Sequence, residues 1–66
     1  LSNEHKVLAY LAKEIAKVRD ENSAFLAAGR ASDFAEYRHV CGFIRGLNTT
    51  EQLINDLVQR MDQDDE

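Results

Sequence analysis

Residues 29–36 read Gly29-Arg30-Ala31-Ser32-Asp33-Phe34-Ala35-Glu36, and this stretch decides the fold. Glycine enters the left-handed backbone region without a Cβ clash, so Gly29 is a natural end for a helix that precedes it. Ser32 reads as the N-cap of a second helix, with Asp33 and Glu36 in its first turn, where acidic side chains meet the positive end of the helix. A helix stop followed so soon by a helix start describes an αα-hairpin, and a loop this short makes the two helices antiparallel neighbours. The chain has no proline and only two other glycines, Gly42 and Gly46, so the segments on either side can run as long helices. The expected fold is all-α and forms one domain: a helix over 3–28, a turn at 29–32, a helix over 33–62 and an acidic tail at 63–66.

N-terminal to the turn, Ser2 and Asn3 are N-cap residues and Glu4 suits the first turn. Leu1, Leu8, Ile15, Asn22 and Gly29 fall seven apart, and Leu11, Val18 and Phe25 fill the complementary positions. That 3-4 alternation predicts the seam of a left-handed helix pair, with Val7, Ala12 and Leu26 widening the stripe beyond it. Asn22 is its one polar member; an Asn at such a position either fixes register at a cost in stability or marks a turn where the helix is frayed or solvated. Ala9, Ala12, Ala16, Ser23 and Ala27 form a small-residue track beside the seam, while the lysines and acids alternate on the outer faces. His5 and His39 are read as surface or satellite residues rather than ligands.

C-terminal to the turn, Phe34, Tyr37, Cys41, Ile44, Leu47, Ile54, Val58 and Met61 continue the rhythm, with Glu51 in the intervening slot. Two successive spacings of three around Ile44 predict a locally overwound seam. Val40, Phe43, Leu53 and Leu57 form a second apolar flank that one antiparallel partner cannot cover. Asn48-Thr49-Thr50-Glu51 is the one place where a new helix can be capped. The expectation is a single continuous helix, since neither Pro nor Gly interrupts residues 47–61. Gly42-x-x-x-Gly46 makes a bare groove at i, i+4, read as a site where a facing backbone approaches closely, most simply across the alanine track, or else as a hinge or a gap for a ligand. Arg38 and Arg45, seven apart and followed by Gln52 and Gln59, are candidate anion-binding residues or else the polar flank of the helix.

Length and charge bound what such a hairpin can do. Sixty-six residues bury a limited fraction of their surface and need a staple or a partner. The single cysteine, Cys41, excludes an internal disulfide and reads as a small buried hydrophobe. No metal-ligand spacing, phosphate loop, nucleophile elbow or supported carboxylate pair is present. No catalytic, cofactor or metal residues are therefore assigned, and the chain reads as non-enzymatic. Residues 1–47 carry seven Lys/Arg against six Asp/Glu and residues 48–66 one against six, giving the net charge of −4. An acidic C-terminal half disfavours general nucleic-acid binding, and no apolar run is long enough to span a bilayer. With no signal peptide visible, a reducing compartment is expected. The core is therefore expected to be completed on a second copy or another protein. The residues assigned to that packing are Leu8, Leu11, Ile15, Val18, Asn22, Phe25, Phe34, Tyr37, Cys41, Gly42, Phe43, Ile44, Gly46, Leu47, Leu53, Ile54 and Leu57.

The segment from Asp33 to Leu47, with its acidic-aromatic start and its Tyr37…Cys41-Gly42-x-Ile44-x-Gly46-Leu47 string, resembles one found in short helical proteins of tailed bacteriophages. The resemblance covers the middle quarter of the chain. It implies a role in the particle or its assembly, as a small helical accessory or adaptor beside a larger phage structural protein, in the virion or the host cytoplasm. In architecture a dimer of such hairpins is similar to the Rop-like hairpins, which implies the alternative of binding RNA or a regulatory protein. The Arg38/Arg45 face suits that alternative and the acidic C-terminal half opposes it.

Overall fold

The computed structural model describes residues 3–64, which form two antiparallel helices, α1 (Asn3–Ala27) and α2 (Phe34–Asp64). Leu1 and Ser2, expected to open the seam and cap it, and the last two residues of the acidic tail lie outside the described residues.

The turn is held by backbone geometry. Gly29 has φ +70°, its amide donates to the Leu26 carbonyl at 3.0 Å, and the Arg30 amide donates to the Phe25 carbonyl at 3.2 Å. This crossed pair is a Schellman motif, which satisfies carbonyls that the end of α1 would otherwise leave bare. The cap of α2 is Asp33, one residue beyond the expected Ser32. The Asp33 carboxylate accepts from the Glu36 amide at 2.7 Å, and the Tyr37 amide donates to the Asp33 carbonyl at 3.0 Å. Glu36 reaches back to accept from the Ser32 amide at 2.6 Å, a capping box displaced by one residue. Asp33 takes the position because its carboxylate meets the positive end of the helix more favourably than a hydroxyl.

No break occurs at Asn48. Thr49 and Thr50 turn their hydroxyls back onto the Arg45 and Gly46 carbonyls at 3.1 and 2.8 Å, so neither caps a new helix and α2 runs for 31 residues. At ~1.5 Å per residue it is about 47 Å long.

Residues turned inward from α1 are His5, Leu8, Ala12, Ile15, Arg19, Asn22 and Leu26; those from α2 are Val40, Ile44, Leu47, Glu51, Ile54, Val58 and Met61. Both series alternate by three and four along their whole length, as paired helices require. This corrects the expected seam in three respects. In α1 the complementary positions are His5, Ala12, Arg19 and Leu26; Leu11 and Val18 are exposed and Phe25 is half-buried. In α2 the seam passes through Val40, which is 8% exposed, so it belongs to the seam rather than the flank and no overwinding is needed at Ile44. His5, expected at the surface, is 8% exposed.

Two polar contacts set the register. Arg19 and Glu51, charged members of facing seams, form an ion pair through Arg19 Nη1 and Glu51 Oε1. Arg19 also donates to the Asn48 side chain at 3.3 Å. His5 Nε2 lies 2.5 Å from Asp62 Oδ1 near the open end. Asn22 donates its side-chain amide to the Val18 carbonyl of its own helix at 2.8 Å, so it satisfies itself without a partner on α2.

The core is incomplete. Val40 and Ile54 are the only described apolar residues below a tenth exposed. The hairpin measures 50 × 14 × 12 Å, with a radius of gyration of 15.2 Å against about 11 Å for a compact chain of this length. It exposes 5222 Å², where a compact monomer of its mass exposes about 4,200 Å².

Replacing Gly29 by Ala forces a Cβ into the left-handed region, although no atom lies within 4 Å of that Cβ. The cost is therefore conformational alone, about 1 kcal/mol. Thermal melts of Gly29→Ala should fall by several degrees with helix content retained below the transition. An unchanged midpoint would show that the Schellman turn contributes nothing.

Candidate functional site

The two helices leave one side of the hairpin apolar. On α1, Leu11, Val18 and Phe25 lie one step around from the seam, with Val7 beside them; on α2 the matching positions are Phe43, Thr50 and Leu57, with Leu53 and Gly46 beside them. In an antiparallel pair these two flanks fall on the same side of the contact line, because reversing one helix about the seam brings like heptad positions together. Of these residues Val7, Leu11, Val18, Phe43, Leu53 and Leu57 are between 36% and 65% exposed. Val7, with Leu8 and Met61, continues the strip into an apolar depression at the open end. The apolar strip runs about 27 Å along α1, from Val7 to Phe25 at ~1.5 Å per residue, and exposed apolar patches rimmed by polar residues mark interaction sites.

The opposite side differs. Arg38, Arg45, Gln52 and Gln59 form an exposed polar column on α2. Arg38 and Arg45 are thus brought to one face, and the Arg38 guanidinium sits 5.9 Å from the centre of the Phe34 ring. Phe34 stacks on Tyr37 with ring centres 6.1 Å apart. Both rings are largely exposed near the turn rather than buried in the seam. Cys41 is half-buried at the edge of the seam, close enough to Tyr37 to hold that phenol above its ordinary pKa through a hydrogen bond and charge. On the outside of α1, Glu14 does the same to Tyr10 through a hydrogen bond to its hydroxyl.

The glycine groove does not face α1. A Cβ built on Gly42 or on Gly46 meets no atom within 4 Å, so neither glycine admits the alanine track. Gly42 points away from both flanks, and Gly46 sits at the rim of the apolar side beside Leu53. Leu8, Ile15, Asn22, Ile44, Leu47 and Ile54 lie in the seam; Leu11, Val18, Phe25, Phe43, Leu53 and Leu57 lie on the outward apolar side. Sequence reading mixed the two sets because both are apolar and they differ by one step of the helix. Of the α1 seam it missed His5 and Arg19, which are polar, and it placed Ala12 and Leu26 beside the seam rather than in it. Their signal was the unbroken 3-4 alternation alone.

Arg19 is held above its ordinary pKa chiefly by its hydrogen bond to Asp20, with partial burial opposing and Glu51 reinforcing. It is a fixed cation in the seam. Among the described residues no three His, Cys, Asp or Glu side chains gather into a metal-binding group, and no described helix is long and apolar enough to cross a membrane. Comparison with protein-family models, curated proteins and solved structures finds no match to this chain.

Two substitution series test this geometry. Glu51→Leu alone leaves Arg19 in the seam without its partner and should lower stability, while Arg19→Met with Glu51→Leu should recover most of the loss. Denaturant titrations of these two proteins, of Arg19→Met alone and of the wild type measure the coupling, and additive effects would mean the pair does not set the register. Gly42→Ala should stabilise by about 0.5–1 kcal/mol through helix propensity without altering the oligomeric state. A lower melting temperature would place a close contact at Gly42 after all.

Proposed function

We propose that this protein is a non-enzymatic helical accessory that acts by docking its apolar side on another polypeptide, as a component or assembly factor of a tailed-phage particle. The observation that carries the docking is the exposed strip from Leu11 through Val18 to Phe43 and Leu57. An apolar face of this length is costly to leave in water and is covered by protein association at roughly 25 cal/mol per Å². The Arg19–Glu51 pair holds the two helices in one register, so the strip is presented as a fixed surface. The phage setting is supported by the Asp33–Leu47 resemblance.

The reading is tested in two steps. The wild-type chain should bind an environment-sensitive apolar dye or sediment as an oligomer, and Val18→Glu with Leu57→Glu should abolish whichever is seen. Mass spectrometry of purified particles and assembly intermediates from cells expressing the gene should find the chain in fixed stoichiometry with a structural protein. Absence from both would remove the phage role. A gel shift with mixed RNA that weakens steeply with salt would instead favour the Rop-like reading and assign it to Arg38 and Arg45.

A further inference from the structure

We propose that the occupant of the apolar side is a second copy of this chain, packed face to face to close a four-helix bundle; this rests on the docking reading above and names its partner. The register set by His5 against Asp62 and Arg19 against Asn48 puts Leu11 level with Leu57, Val18 with Thr50 and Phe25 with Phe43. The face therefore carries three levels a heptad apart, large above and below and small in the middle. That pattern is symmetric about its centre. A two-fold axis through the Val18/Thr50 level lays bulky levels on bulky levels and small on small, and a two-fold interface requires such self-complementarity.

Area agrees. The two-helix face, about 37 Å long over the 25 residues of α1 and 14 Å wide, is a footprint of roughly 500 Å² per chain and about 1,000 Å² for two, at the lower limit of specific protein interfaces. The excess surface of the hairpin over a compact monomer, about 1,000 Å², is of the same order as the footprint that a second copy would cover. The flank also lacks charge along its middle line, where Leu11, Val18, Phe43, Thr50 and Leu57 stand, as expected of an interface centre. Charged Glu14, Glu21 and Arg60 stand at its edges, as expected of a rim.

Thr49 and Thr50 give a test that leaves the face intact. Both are exposed in the single hairpin, but Thr50 lies on the apolar side and Thr49 on the outer side of α2. In a Cys41→Ala background, Thr50→Cys and Thr49→Cys each carry one thiol. At micromolar concentration both proteins should sediment as dimers. The thiol of Thr50→Cys should then react with a maleimide about ten-fold or more slowly than that of Thr49→Cys, a difference lost on dilution as the dimer dissociates. Monomers at every concentration, with the two thiols reacting alike and the face still binding apolar dye, would overturn the second copy while leaving the docking reading standing. A dimer that protects Thr49→Cys rather than Thr50→Cys would overturn both, and a trimer or open polymer would overturn the two-fold pairing.

Discussion

Two helices packed side by side share a single contact line, and each can turn only one stripe of side chains toward it. Every apolar residue beyond that stripe stays in water unless a further layer is added. This limit governs the present hairpin. Its helices carry two adjacent apolar stripes each, and the pairing consumes one. The result is an elongated molecule with two well-buried apolar residues among those described, Val40 and Ile54, and an uncovered strip along one side.

Which stripe faces inward is decided by polar contacts as much as by apolar content. Counted by apolar residues alone, Leu11, Val18 and Phe25 make a better seam than His5, Ala12, Arg19 and Leu26. The second set is the one turned inward, and there Arg19 meets Glu51 and His5 meets Asp62 across the contact line. Ala12 lets the helices approach where bulkier side chains would hold them apart. An ion pair in a partly exposed seam adds modest stability. Its value lies in register: a slip along α2 sets Arg19 against apolar side chains and leaves Glu51 without its cation.

The same arrangement separates the surfaces. The apolar strip and the Arg38/Arg45 column lie on opposite sides of the helix pair, so docking on one leaves the other open to solvent. A partner covering the strip would supply the burial that a chain of this length lacks on its own.

The hairpin itself was legible in the sequence. Gly29 with the acidic start at Asp33 and Glu36 places the turn, the absence of proline permits two long helices, and the uninterrupted run after Leu47 carries α2 past Asn48. These are local effects of backbone conformation and capping, each settled by a few neighbouring residues. The existence of surplus apolar surface was legible too, from the width of the stripe on α2. The rotation of each helix about its axis was not. A shift of one residue exchanges Leu11 for Ala12 and Cys41 for Val40, and local propensity is indifferent to that choice. It is made only when the two helices meet, through pairs 29 to 57 positions apart such as Arg19 with Asn48 and His5 with Asp62. For the same reason the glycines at 42 and 46 were misplaced: spacing shows that they share a side of α2, but only the packed structure decides that this side faces away from α1.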